Sequence, residues 1–190
     1  MYSIRIACLF IVSLLSACAS PQLQELPNTP PPAREVKKVD VALVLGGGGA
    51  RGIAHLGVIE TLEKNGVPID LIVGTSAGSI IGSLYADTPD YVYLKDRLVN
   101  LNKWDMLDFS LADSMKLLLD IKGPVSGSKL QTFISQNAKQ HNIESLDIPF
   151  VAVATNLREE KVYSFRSGPL ATAVHASAAI LPFFTPGKAY

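Results

Sequence analysis

The sequence predicts a three-layer α/β domain around a mainly parallel central sheet. Two strand–glycine turn–helix units follow one another between residues 39 and 86, and a third apolar strand follows at 150–155. The links between strand and helix in these units are short. Parallel strands need crossover connections, which alternating helices supply, and such crossovers are expected to be right-handed.

The first unit begins with the apolar run 39–45, which ends in glycines and predicts a buried strand. A helix is predicted over 53–65, because its apolar residues recur at helical spacing. Gly66 stands where such a helix should end. The residues at helical spacing are Ile53, Leu56, Ile59 and Leu62.

The second unit predicts a strand at 68–73 and an apolar helix at 77–86, which is closed by Asp87, Thr88 and Pro89. After it the chain is less regular. The remaining predicted elements are a mostly helical stretch at 91–141, strands at 150–155 and 161–165, and a helix at 169–179.

Charge and composition exclude several classes of partner. Lys plus Arg equals Asp plus Glu at 17 each, so the formal net charge is zero and nucleic acid is not an expected partner. The histidines, cysteines and carboxylates show no metal-ligand spacing, so we expect no metal and no other cofactor. With only Cys8 and Cys18 in the chain, and Cys8 inside a predicted signal, no disulfide is expected.

The N-terminus predicts export. Residues 1–17 combine a basic start, an apolar run too short to span a bilayer, and small residues, as in a signal peptide. Residues 15–18, Leu-Ser-Ala-Cys, resemble the lipobox of bacterial lipoproteins, in which the cysteine is acylated. Because Ala19 follows Cys18, the resemblance implies a lipid-anchored protein of the bacterial envelope, sorted to the outer membrane. A plain secretory signal is the alternative.

A proline-rich segment separates the predicted anchor from the domain. Residues 18–38 contain five prolines and few large apolar groups, so they cannot build a core and are interpreted as a tether. The folded domain is therefore predicted to span residues 39–190.

A candidate nucleophile lies between the second strand and its helix. The segment Gly74-Thr75-Ser76-Ala77-Gly78 fits the G-x-S-x-G nucleophile elbow, in which a sharp turn exposes the serine hydroxyl. The glycines leave room for a strained backbone, and the Ala77 amide would point at a developing oxyanion. The alternative is a turn serine that caps the helix.

A glycine-rich loop, residues 46–52, closes the first strand. Such a loop can turn several N–H groups toward one anion, as an oxyanion hole or a phosphate cradle. Gly47, Gly49 and Gly52 also fit G-x-G-x-x-G, but no acidic residue follows the second strand before Asp87, which disfavours a dinucleotide site.

Arg51 lies in the first turn of the predicted helix, where a cation opposes the helix dipole. Its position indicates a specific anionic partner, either a carboxylate or a lipid phosphate. A solvated arginine is the alternative.

Together the two motifs resemble the patatin-like phospholipase family. The resemblance covers residues 39–190 and implies a patatin-like fold, cleavage of lipid or phospholipid acyl esters, and a Ser–Asp dyad without a catalytic histidine. It implies Ser76 as nucleophile and the amides of Gly47, Gly48 and Gly49 as oxyanion donors. Further segments that resemble the family are 52–58, Trp104-Asp105 with Leu107-Asp108, and 176–179 ahead of Pro182-Phe183-Phe184.

The family's dyad aspartate, in a D-G-G or D-G-A motif, has no match here, since Asp147 is the last aspartate before Tyr190. We expect that aspartate to belong to a longer chain, and residues 19–190 alone to be a poor enzyme. Two alternatives stay open. One is an inactive envelope lipoprotein that binds lipid or a partner, and the other is a Ser–His–Asp α/β-hydrolase that uses Asp147 and His175.

The lipobox resemblance generates a test of the anchor. Cys18→Ser should abolish acylation and release the protein from membranes, because several acyl chains are needed for stable anchoring. Membrane fractionation and intact-protein mass spectrometry would measure both effects. Unchanged membrane partition together with unchanged mass would contradict the prediction.

Overall fold

The computed structural model describes residues 32–36, 38–99, 127–157 and 159–179. The predicted signal peptide, Cys18 and most of the tether lie outside these residues. So do the central part of the predicted helical stretch 91–141 and the segment 182–184.

The sheet within the described residues has four strands in the order β1-β2-β3-β4. β1, β2 and β3 run parallel, and β4 pairs antiparallel with β3. The prediction of a mainly parallel sheet is therefore confirmed. The connection from β3 to β4 is too short for a crossover, so those two strands form a hairpin instead. The strands are β1 Ala42–Leu45, β2 Leu71–Thr75, β3 Phe150–Asn156 and β4 Lys161–Phe165.

Five α-helices are assigned within the described ranges. The helix predicted over 53–65 begins only at His55, because the glycine-rich residues ahead of it form a 3₁₀ turn, Gly49–Ala54. A second 3₁₀ turn, Ile143–Ser145, precedes β3. The helices are α1 His55–Lys64, α2 Ala77–Asp87, α3 Tyr91–Val99, α4 Ser128–Asn137 and α5 Leu170–Ala178.

One face of the sheet carries the core. In β1 the side chains of Leu43 and Leu45 are buried, whereas Val44 is 70% exposed. Ile72 of β2 is in register with Leu43, and Phe150 of β3 is in register with Ile72. These side chains belong to one hydrophobic cluster that also includes side chains from all five helices. Side chains from this face of the sheet and from all five helices therefore share one core.

Helix α2 lies at the centre of the described helices and contacts each of the other four. All 11 of its residues are buried, as expected for a helix that is apolar around its whole circumference. It packs on the sheet almost backbone to backbone. A Cβ at Gly78 would collide with the Leu45 carbonyl, and one at Gly74 would lie 2.6 Å from the Gly78 carbonyl oxygen. Glycine at these positions lets the N-terminus of α2 lie directly over the ends of β1 and β2.

The opposite end of α2 is fixed by a buried carboxylate. Asp87, 2% exposed, accepts hydrogen bonds from the backbone N–H groups of Lys139 and Gln140, at 2.9 and 2.7 Å. The Thr88 hydroxyl donates a third, at 3.0 Å. These bonds attach the segment after α4 to the C-terminus of α2, and so connect parts of the chain about 50 residues apart.

Asp87→Ala should lower the free energy of unfolding by about 2–4 kcal/mol, because it leaves buried N–H groups without an acceptor. Chemical denaturation monitored by circular dichroism would measure the change. Asp147→Ala is the matched control, since Asp147 is exposed and such substitutions usually change stability by less than about 0.5 kcal/mol. Equal effects of the two substitutions would contradict the prediction.

Candidate active site

Ser76 forms a strained turn between β2 and α2. Its backbone has φ 53° and ψ −119°, a conformation that side chains disfavour. Among the described residues other than glycine, positive φ occurs only here and at Glu160, in the hairpin turn before β4. Strain of this kind concentrates at functional sites. The structure thus gives the predicted elbow the sharp strand-to-helix turn that the motif requires.

The Ser76 carbonyl begins helix α2. It accepts hydrogen bonds from the N–H groups of Ser79 and Ile80, at 2.9 and 3.1 Å, and from the Ser79 hydroxyl at 2.7 Å. The Ser76 side chain makes no capping hydrogen bond to the helix. A serine whose role was to cap the helix would use its hydroxyl there. The Ser76 hydroxyl therefore does not serve as a helix cap, and the side chain is half-buried.

The glycine loop lies directly beside this hydroxyl. A Cβ at Gly47 would be 3.3 Å from the Ser76 Cβ and 4.0 Å from its Oγ. At the other end of the loop, a Cβ at Gly52 would lie 2.5 Å from the Ala77 Cβ. Gly49 has φ 57°, a conformation that glycine adopts without penalty. The two motifs, separate in the sequence, thus form one continuous site.

His55 holds the beginning of the glycine loop. Its Nε2 lies 2.9 Å from the Gly46 carbonyl oxygen, within hydrogen-bond distance. With that nitrogen directed at the backbone, His55 has a structural role in the loop. No local pattern in the sequence indicates this hydrogen bond, which joins residues nine positions apart across the glycine loop.

Arg51 is exposed and forms no ion pair with the carboxylates of the described residues. A carboxylate that braces the loop, one of the two predicted partners, is therefore not found in this part of the chain. No group of three or more histidines, cysteines and carboxylates that could hold a metal ion occurs among the residues described.

His175 and Asp147, the residues of the alternative triad, belong to two other parts of the fold. His175 is buried on α5, and its Nδ1 lies 2.9 Å from the Gln131 Nε2 on α4. Asp147 is exposed in the loop before β3. In the described part of the chain, no histidine or carboxylate is recorded in a hydrogen bond with the Ser76 hydroxyl.

Ser177 is the contact of Ser76 that sequence reasoning missed. Its hydroxyl accepts a hydrogen bond from the Ser76 N–H at 3.0 Å and donates one to the Val153 carbonyl at 2.6 Å. The residue lies in the segment 176–179, which supported the family resemblance, but nothing local to that segment indicates a partner 101 residues away.

No helix among the described residues has both the length and the apolar character needed to cross a bilayer. Burial, together with a hydrogen bond to Glu63, raises the pKa of Tyr85, which lies toward the end of α2 away from Ser76.

Comparison with known proteins identifies the family. The model of the patatin-like phospholipase family matches residues 43–190. Patatin-like phospholipase domain-containing protein 6 of Homo sapiens is 35% identical over 158 residues, which cover 81% of this chain and 11% of that protein. Lysophospholipase NTE1 of Coccidioides immitis is 35% identical over 158 residues, covering 81% of this chain and 10% of that protein.

Patatin-like phospholipase domain-containing protein ZK370.4 of Caenorhabditis elegans is 35% identical over 152 residues, covering 77% and 11% of the two chains. The chain thus spans about a tenth of the length of these relatives. A crystal structure of the type III effector protein ExoU aligns with a TM-score of 0.47 at 17% identity, covering 78% of this chain and 40% of that one. On the family match and the identity to these relatives, the chain belongs to the patatin-like phospholipase family.

Proposed function

We propose that this domain hydrolyses lipid acyl esters, with Ser76 as the nucleophile. The observation that carries the proposal is the position of the Ser76 hydroxyl, on a strained elbow, next to the Gly47 backbone. The family supports a lipid substrate, and the name of the fungal relative, a lysophospholipase, supports phospholipids as the substrate class.

The reaction we infer has two steps. The Ser76 Oγ attacks the acyl carbonyl carbon while its proton passes to a general base, and a tetrahedral oxyanion forms. As this intermediate collapses, the base gives that proton to the leaving alcohol, and an acyl-Ser76 ester remains. Water then attacks that ester while the same base accepts a proton from it. The base returns this proton to the Ser76 Oγ as the fatty acid leaves.

The oxyanion would be stabilised where the two motifs meet. We assign this role to amides of Gly47, Gly48 and Gly49, together with the Ala77 amide at the N-terminus of α2. The first amides of a helix lack acceptors within the helix, and the helix dipole favours negative charge at this end. Donors already fixed in place need no reorganisation as charge develops, and each contributes about 10²–10³-fold in rate.

For the general base we propose the aspartate of the family's Ser–Asp dyad, contributed from outside the described residues. Two of the aspartates within them have visible structural roles. The Asp87 carboxylate is buried and bound to backbone amides, and that of Asp70 accepts the N–H groups of Asp40 and Val41. Neither is available to take a proton from Ser76.

An anchor at Cys18 would complement this activity. If Cys18 is acylated, the tether would hold the domain close to a membrane surface in the bacterial envelope, where phospholipids are concentrated. The exposed Arg51 of the glycine loop would then be available to an anionic lipid group. Cys18→Ser tests the proposed localisation. Substitutions around Ser76 test the proposed ester hydrolysis independently.

Ser76→Ala should reduce hydrolysis of p-nitrophenyl esters and of phospholipids by at least about 10³-fold, because no acyl-enzyme can form. The assay uses a chain that includes the proposed dyad aspartate, with release of nitrophenol and of fatty acid as readouts. Ser83→Ala is the matched control, since Ser83 is a nearby buried serine, whose hydroxyl bonds to the Ile80 carbonyl within α2. A folded protein without Ser76-dependent turnover would instead favour a lipid- or partner-binding role.

The same assay separates the dyad from the triad. His175→Ala should keep most of the activity, because the Nδ1 of His175 is directed at Gln131 on α4. A loss of about 10⁴-fold in kcat in a variant that remains folded would support the Ser–His–Asp alternative.

Gly47→Ala should lower kcat by about 10- to 100-fold with little change in thermal unfolding, because the added methyl crowds the Ser76 side chain. Gly57→Ala serves as the control. A Cβ at Gly57 meets nothing within 4 Å, and alanine in helix α1 should stabilise the protein by about 0.5–1 kcal/mol. Equal kinetics for Gly47→Ala and the unsubstituted protein would argue against a catalytic role of this loop.

A further inference from the structure

The hydrogen-bond pattern between β2 and β3 changes at the nucleophile. At the start of the pair, the Ile72 N–H donates to the Pro149 carbonyl at 2.9 Å. In a parallel ladder the pattern advances by two residues, so the register predicts bonds from Gly74 N–H to the Val151 carbonyl and from Ser76 N–H to the Val153 carbonyl.

The last of these bonds is replaced by a hydroxyl bridge. The Ser76 N–H donates to the Ser177 Oγ at 3.0 Å, and the Ser177 hydroxyl donates to the Val153 carbonyl at 2.6 Å. Ser177 is 8% exposed. A hydroxyl has one proton to donate, so its donor is fully used here and the direction of both bonds is fixed.

This bridge has a geometric consequence. A direct bond between the Ser76 N–H and the Val153 carbonyl would extend β2 through Ser76 and draw its backbone toward negative φ. With one oxygen atom inserted, the amide stays bonded while the chain leaves the sheet, and Ser76 adopts φ 53°. The bridge therefore permits the strained turn and holds it at the same time.

We propose that Ser177 is a positioning residue for the nucleophile, an inference that rests on the proposed function of Ser76. Ser177 acts through the Ser76 backbone: it fixes the amide, and thereby the direction in which the Ser76 Oγ leaves the elbow. Residues 175 and 177 are about 200° apart around α5. Accordingly, Ser177 bonds to the sheet and the elbow, whereas His175 faces Gln131 on α4.

The experiment measures the reactivity of Ser76 in each folded molecule. A chain that includes the proposed dyad aspartate is reacted with a fluorophosphonate probe, and labelling at Ser76 is followed over time by mass spectrometry. The amplitude reports the fraction of molecules that are folded and competent, and the rate constant reports how well the nucleophile is placed. Ser177→Ala should lower the rate constant by about 10- to 100-fold while labelling still reaches completion.

Two further substitutions separate positioning from stability. Ser177→Thr and Ser177→Val have nearly the same shape, but only threonine keeps the hydroxyl, so the threonine variant should react about 10-fold or more faster than the valine variant. The comparison of the threonine and valine variants also tests the positioning role if Ser177→Ala fails to fold. Ser83→Ala, which removes a buried hydroxyl of α2 that bonds only within the helix, should keep the unsubstituted rate constant.

The outcomes distinguish this inference from the proposal on which it rests. Normal labelling of the unsubstituted protein with an unchanged rate constant in Ser177→Ala would overturn the positioning role alone. A lower amplitude with an unchanged rate constant would do the same, because it reports only lost stability. Failure of the unsubstituted protein to label at Ser76 would overturn the proposed function, and this inference with it.

Discussion

The close approach of helix α2 to strands β1 and β2 is the constraint on which the rest of the structure depends. Gly74 and Gly78 contribute no side chains at this contact, so the backbone of the helix lies against the carbonyl groups of Leu45 and Gly46. Any side chain there would push the helix away from the sheet. Because α2 begins at the nucleophile, that displacement would move Ser76 away from the glycine loop as well.

Three separate parts of the chain therefore meet at one point. β1 brings the glycine loop, β2 brings Ser76, and α5 brings the Ser177 hydroxyl. The parallel arrangement explains the first two, since the carboxyl ends of neighbouring parallel strands lie at the same edge of the sheet. The third comes from the helix after the β3–β4 hairpin, which returns the chain over the sheet so that α5 packs against α2 and β3.

The sequence predicted what depends on local pattern and spacing. The apolar runs ending in glycine identified β1 and β2, and the G-x-S-x-G motif identified the turn at Ser76. The sequence did not predict the hydrogen bonds between distant residues, because no local periodicity indicates which residues become partners. The Ser177 bridge, the His55 bond to the Gly46 carbonyl and the buried Asp87 all join groups that become neighbours only after folding. The 3₁₀ start of α1 was also missed, since its residues continue the helical spacing.

The backbone conformation of Ser76 sets the stability of the fold against the reactivity of this serine. A side chain at φ 53° and ψ −119° costs of order 1 kcal/mol or more, and glycine would avoid most of that cost. A lineage that no longer needed the reaction would gain stability by replacing this serine with glycine. Retention of serine at this strained position can thus serve as a record of selection for chemistry, independent of any assay, when homologous chains are compared.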